Sequence, residues 1–258
     1  MRALVTGGAK RLGREMALYL AKRGYDVAVN YASSADEANA TVLDIQSLGR
    51  KAVALRADLL IESEVETLVD QASDALGGSL TCLINNASIF EYDNIETGTR
   101  DSWDRHIESN LRAPVVLTQK FAAQCPDATL DEADEPIAQG LVVNMVDQRV
   151  RKLTPEFMSY TIAKMGLWAF TQTSARGLAP HIRVNAIGPG PTLIGSRQSP
   201  EHFKNQRENT VLQRGSNPSD ITAALGYFLD APAVTGQLLC IDGGQHLGWE
   251  TPDVLGVE

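Results

Sequence analysis

The sequence predicts a doubly wound α/β fold, a seven-stranded parallel sheet covered by helices on both faces. Two observations carry this expectation. Short runs rich in Val, Ile, Leu and Ala alternate with longer amphipathic segments, as buried parallel strands do with their crossover helices. The first run ends in TGGAKRLG, residues 6–13, and a helix pattern follows at once. A glycine turn between the first strand and the first helix is a place where backbone approaches a phosphate.

The predicted strands are 3–6, 26–31, 51–57, 80–85, 140–145, 182–187 and 238–242. Each is short and apolar, which suits strands buried on both faces. LGREMALYLAKRG, 12–24, is amphipathic and stops at Gly24. The next helix, 34–49, starts at a possible cap, Ser34, and stops at Gly49. Segments 61–76, 99–123, 156–179 and 219–229 complete the helices. The acidic CPDATLDEADEPIAQG, 125–140, reads as a solvated loop. GPGPTLIGSRQSPEHF, 188–203, follows a strand and is expected to form a lid over the carboxyl ends of the sheet. With no repeat and no linker, the 258 residues read as one domain.

Bulk composition excludes several classes. Apolar residues at 43% are enough for a core, and a formal charge of −9 opposes a nucleic-acid surface. Cys82, Cys125 and Cys240 are far apart and lack metal-ligand spacing, which fits a reducing compartment and no metal. No apolar run reaches 18 residues, so no membrane span is expected. The opening MRALVTGG has no signal-peptide character, and the expected location is cytoplasmic.

The candidate cofactor site follows from the turn. Gly7, Gly13 and the neighbouring Arg11 and Leu12 are placed to hold a pyrophosphate at a helix N-terminus. An acid at the end of the second strand would select NAD by bonding its ribose hydroxyl. Here that end reads NYASS, with Tyr31, Ser33 and Ser34 and no acid before Asp36. A guanidinium at Arg11 suits a phosphate, so NADP(H) is expected. Asp58, before Leu59, is either an adenine contact or a turn residue. Asn85 either lets backbone pass beside the cofactor or pins neighbouring strands; Asn86, Ala87 and Ser88 follow it.

Taken together, TGGAKRLG, ADL, NNA, Asn110 in ESNLRAP, the Tyr160-x-x-x-Lys164 pair, IRVNAIGPGP and LCIDGG resemble the short-chain dehydrogenase/reductase family across almost the whole chain. The resemblance implies a Rossmann-type domain, a nicotinamide cofactor and a homo-oligomer, dimer or tetramer. Two departures stand out. Arg11 replaces the middle glycine of the usual turn, and Asp147 stands where the catalytic serine is usual. Both look like the pteridine reductase branch, which includes dihydromonapterin-reductase-like enzymes. NYASSADEANA, NNASIF and NMVD are similar to that branch, although Ser33 stands where some members carry arginine. Pro189 and Gly190 are expected by the nicotinamide, and Thr192 and Leu193 at the start of the lid, with Thr192 among the cofactor contacts; the resemblance has Asn110 orient a water that relays protons to Lys164. Phe90 is expected to stack a planar heterocycle. The chain continues past the family's usual end in a tail of about 246–258.

Tyr160 and Lys164, spaced i and i+4, share one helix face. The lysine ammonium is expected to lower the phenol's pKa, so that Tyr160 donates a proton as hydride arrives. Asp147 explains itself by hydrogen-bond sense. A serine donates to a carbonyl, whereas a carboxylate accepts, and a pteridine offers ring N–H and amino donors. Low exposure is expected to raise the Asp147 pKa and make it half of a proton-delivery pair. Ser88 also faces the substrate in this reading, and Gln148 and Arg149 shape the pocket. The expected function is NADPH-dependent pteridine reduction. The alternatives are a carbonyl reductase on a 3-oxoacyl thioester or sugar, and a non-enzymatic nucleotide sensor.

Overall fold

A computed structural model describes residues 1–195 and 197–249; of the tail expected over about 246–258, all from 250 onward lies outside the described residues. The chain runs β1 (Arg2–Val5), α1 (Arg11–Lys22), β2 (Asp26–Tyr31), α2 (Ala35–Ser47), β3 (Ala52–Arg56), α3 (Glu62–Leu76) and β4 (Cys82–Asn85). It continues with α4 (Arg100–Ile107), α5 (Ala113–Gln124), β5 (Thr129–Leu130), β6 (Pro136–Ile137), β7 (Gly140–Met145), α6 (Met158–Gly177) and β8 (Ile182–Pro189). It closes with α7 (Pro200–Glu208), α8 (Pro218–Asp230) and β9 (Leu238–Ile241).

Seven strands form one parallel sheet in the order β3-β2-β1-β4-β7-β8-β9. Strand alternation sends residues to two separate cores. Ala3, Val5, Cys82, Ile84, Leu141 and Val143 pack under Met16 and Leu20 of α1, Ile45 of α2 and Phe228 of α8. Leu4, Leu83 and Val142 face Leu68 of α3 and Leu117 and Phe121 of α5. The order reverses between β1 and β4, and a doubly wound sheet opens its ligand crevice at the carboxyl ends beside such a point.

Polar pins cross the sheet there. Asn85 Nδ2 donates to Asn144 Oδ1 at 2.8 Å, and Asn144 Nδ2 donates to Thr171 Oγ1 at 2.9 Å. Asn85 is therefore the strand pin of the two readings open for it. Removing Asn144 as Asn144→Ala takes one buried hydrogen bond from Asn85 on β4 and one from Thr171 on α6, which costs about 0.5–1.5 kcal/mol each. The expected result is a lower denaturation midpoint with an unchanged slope.

Three expectations are corrected. Residues 125–140 are not all loop: Thr129 and Leu130 pair antiparallel with Ile137 and Pro136, closed by a turn in which Asp131 Oδ1 accepts from Ala133 N and Glu135 N. The helix expected over 99–123 is broken into α4, a π-helical turn Glu108–Arg112, and α5. The segment 188–203 is not without regular structure, because Ser199 caps α7 through His202 N at 3.1 Å and the helix begins inside it; Leu193, Gly195, Gln198 and His202 border the cleft, as the lid reading expects. Among the described residues, no helix is long and apolar enough to cross a membrane.

Candidate active site

The carboxyl ends of the strands border a cleft of about 1640 Å³. That exceeds the ~300–1,000 Å³ of ordinary small-molecule pockets, so it has room for a dinucleotide and a second ligand. The residues bordering it include Gly7, Arg11, Leu12, Gly13, Tyr31, Ser33, Ser34, Asp58, Leu59, Asn86, Ala87 and Ser88. Phe90, Asp147, Tyr160, Lys164, Pro189, Gly190 and Thr192 border it too. Every expected site residue except Asn110 is thus brought to one cleft.

The phosphate end is built by close approach. Gly7 has φ 58°, and Gly7 N and Gly8 N donate to Asn30 Oδ1 and O at 3.2 and 3.0 Å. A Cβ on Gly13 would lie 2.2 Å from Gly7 O, so no larger residue fits without breaking the turn. Helix α1 has no side-chain cap and no acid in its first turn, which leaves its N–H groups and dipole to an anion. Asn86 supports the turn from behind, its Nδ2 donating to Thr6 O at 2.9 Å.

Several side chains have other partners than the sequence suggests. The Arg11 guanidinium donates to Ile194 O at 2.9 Å and Leu193 O at 3.2 Å, tying down the segment after β8. Lys10, for which the sequence suggests no role, also borders the cleft. Ser34 occupies the cap position of α2 without a capping bond. Asp58 Oδ1 accepts from Leu60 N at 3.0 Å, as a turn residue does. Gly190 N donates to Ile241 O, and Thr192 Oγ1 donates to Gly190 O, both at 3.0 Å.

The reacting end centres on Asp147. It follows β7 and heads a short 3-10 turn, Gln148–Arg151. Its Oδ1 accepts from Arg149 N at 2.8 Å and its Oδ2 from the Tyr160 hydroxyl at 2.9 Å. Burial pushes the Asp147 carboxyl above its ordinary range, against those two hydrogen bonds. Lys164 is buried, donates to Met145 O at 2.7 Å, and is lowered by burial to about 8.

The expected direction for Tyr160 is reversed. Its hydroxyl is held well above the usual phenol value, first by burial and then by the charge and hydrogen bond of Asp147. Lys164 Nζ lies 5.7 Å from the ring centroid and points its proton at Met145 O. Burial, reinforced by the neighbouring carboxylate, keeps Tyr160 protonated.

Asn110 is fully buried, and its side chain accepts from Ile89 N and donates to Ile89 O, both at 2.8 Å. One donor and one acceptor of its amide thus hold the loop after β4. One face of Phe90 is covered, although the residue remains 43% exposed. Phe157 stacks on it at 4.3 Å with a 12° tilt, and Tyr160 meets it edge-on at 4.6 Å. Phe157 lies just ahead of α6 at φ 56°, which no helical periodicity could show.

A buried relay fixes the start of α6. Glu91 N donates to His106 Nε2 at 3.1 Å, which leaves the ring proton on Nδ1, 2.7 Å from Ser159 Oγ. The Ser159 hydroxyl in turn donates to Asp93, which also accepts from Ser159 N at 3.1 Å. Burial lowers the His106 pKa, which agrees with a neutral ring. The relay ties the Phe90 loop to the helix that carries Tyr160. Among the described residues no cluster of His, Cys, Asp and Glu could hold a metal ion.

The family model for short chain dehydrogenases matches residues 1–204. The chain belongs to that family. It is an α/β oxidoreductase of the short chain dehydrogenase type. It is similar to the FolM alternative dihydrofolate reductase 1 of Brucella canis complexed with NADP, at 43% identity and a TM-score of 0.90, covering 98% of this chain and 96% of that one. The Brucella suis counterpart in complex with NADP also matches at 43% and 0.90, covering 98% of each chain. A 3-oxoacyl-[acyl-carrier-protein] reductase FabG of Staphylococcus epidermidis is 30% identical over 250 residues, 95% of this chain and 98% of that protein.

Proposed function

We propose that this short chain dehydrogenase is an NADPH-dependent pteridine reductase, with cofactor site and chemistry in one domain. The observation that carries the reading is the Asp147–Tyr160 hydrogen bond of 2.9 Å, a carboxylate–phenol pair where a serine would serve a ketone. The likeness to two proteins named alternative dihydrofolate reductase supports it.

The residues fit NADP(H). The uncapped α1 suits a pyrophosphate, and the end of β2 offers Ser33 and Ser34 with no carboxylate, in a cleft that Lys10 and Arg11 also border. NADPH, when bound, supplies the hydride. The protein supplies the proton and the orientation. Tyr160, held protonated, is a donor to a ring nitrogen beside the carbon that is reduced. Asp147 accepts from substrate N–H groups with lone pairs left over from Tyr160 and Arg149. Its raised pKa lets it carry the replacement proton. Lys164, charged below about 8, balances the buried carboxylate.

The FabG relatives keep a ketoreductase as the second reading. Oxidation of NADPH with a dihydropterin, followed by absorbance and compared with a 3-oxoacyl thioester, separates the two. Turnover of the dihydropterin at least about tenfold more efficient is expected; the reverse order would transfer the protein to ketone chemistry. Exposed Ile162 and Met165 on one face of α6, with Trp103 exposed on the adjoining α4, support assembly as a homo-oligomer.

A further inference from the structure

We propose that Asp93, Ser159 and His106 are positioning residues for the reduction: they cap the helix that carries Tyr160 from the loop that carries Phe90, so that the proton donor and the wall of the cleft are placed as one unit. The inference rests on Tyr160 as the proton donor, and holds for a C=N bond or a ketone alike.

Helix α6 has no cap of its own. Phe157 occupies the cap position at φ 56°, its side chain accepts no hydrogen bond, and the first turn holds no acid. A capping oxygen ordinarily accepts from the second or third helical N–H. Here that bond comes from 66 residues away, with Asp93 Oδ1 accepting from Ser159 N at 3.1 Å. Asp93 O also accepts from Met158 N at 3.3 Å. A carboxylate at this end suits the helix dipole. Tyr160 is the next residue of α6, so the cap sets its place directly.

The loop is held by the same group of side chains. Asn110 binds N and O of Ile89, both at 2.8 Å, and His106 Nε2 accepts from Glu91 N at 3.1 Å. Asp93 makes the third anchor. The residues between the anchors, Phe90 and Tyr92, both border the cleft. Both also meet the ring of Phe157, at 4.3 and 5.3 Å.

Hydrogen-bond sense makes the relay specific. Glu91 N–H points at Nε2, so the His106 proton sits on Nδ1 and is donated to Ser159 Oγ at 2.7 Å; the Ser159 proton is donated to Asp93 Oδ2. The relay needs two acceptor oxygens at position 93, which an amide does not have. With its NH2 toward Ser159 N, the amide sets donor against donor. With its NH2 toward Ser159 Oγ, it turns the hydroxyl back onto His106 and drives the ring proton to Nε2, against Glu91 N–H. Asp93, Ser159 and His106 are at most 1% exposed, so water does not relieve the mismatch.

The test is a double-mutant cycle on kcat. Wild type, Asp93→Asn, Tyr160→Phe and the double variant are run with a dihydropterin and with a 3-oxoacyl thioester. Asp93→Asn is expected to lower kcat roughly tenfold to a hundredfold, the scale of a misplaced reacting group, with NADPH affinity unchanged. In the Tyr160→Phe background the same substitution should change kcat less than about twofold, because no hydroxyl is left to place. Equal losses in the two backgrounds, or no loss in wild type, overturn the inference and leave Tyr160 as the donor. A Tyr160→Phe variant as active as wild type overturns the donor reading and the inference with it. If Asp93→Asn does not fold, Ser159→Ala takes its place in the cycle. It cuts the relay, keeps the bond from the backbone N–H to Asp93, and should cost about tenfold.

NMR follows Tyr160 without turnover. With the tyrosines labelled at Cζ, the Tyr160 signal is identified by its loss in Tyr160→Phe. It should move in Asp93→Asn while those of Tyr25 and Tyr227 stay. A Tyr160 signal that stays in place overturns the inference.

Discussion

Tyr160→Phe is expected to lower kcat about a thousandfold, within the range for removing a positioned general acid. The hydroxyl that donates to Asp147 Oδ2 at 2.9 Å is lost, while the ring keeps its contacts with Phe90 and His106. The fold and cofactor affinity should therefore hold, checked by circular dichroism and by nucleotide titration. Burial and the Asp147 charge keep Tyr160 protonated, so the proton is in place when hydride arrives. Because the variant leaves the reaction's equilibrium unchanged, kcat/KM should fall by the same factor in both directions. A variant that keeps a tenth of wild-type kcat would mean that the proton comes from elsewhere.

Asp147→Asn is expected to lower kcat about a hundredfold, the lower part of the same range, and also to move the pH profile. Lys164 sits at about 8 because burial lowers it while the Asp147 charge raises it. In wild type, activity should hold below that pH and fall as Lys164 loses its proton. Removing the carboxylate removes the one influence that raises the lysine, so the alkaline limb should move to lower pH. Stability gives a second sign. Asp147 is raised in the fold, so stability is lost as pH rises from the ordinary carboxylate value to that raised value, and the full cost holds above it. The variant should then be no less stable than wild type at neutral pH, by denaturant unfolding. An unmoved alkaline limb would separate Lys164 from Asp147.

The sheet was legible because its strands are buried on both faces. Each predicted strand lies within two residues of the observed one at either end, from Arg2–Val5 to Leu238–Ile241. The glycine turn and the Tyr160–Lys164 pair were legible because spacing alone puts them together. What failed depends on contacts distant in sequence. The π turn at Asn110 interrupts a continuous helical pattern, and its buried amide is bonded to Ile89, 21 residues away. Phe157 reads as the first turn of α6, yet it takes a left-handed conformation and stacks on Phe90. The direction of the Tyr160 shift needed the 2.9 Å contact with Asp147, which sequence offers only as a possibility. Arg11 and Arg197 find their partners across the cleft, at Ile194 and Phe90, where no local signal leads.

The central claim is that the Asp147–Tyr160 pair serves a ring C=N bond rather than a ketone. A dihydropterin bearing a ketone on its side chain offers both bonds in one molecule. The decisive measurement is where deuterium goes when this compound is reduced with deuterated NADPH, read by NMR of the product. One deuterium on the ring carbon of the former C=N bond is the predicted result. Deuterium only on the side-chain carbinol carbon would contradict the account and make the protein a ketoreductase.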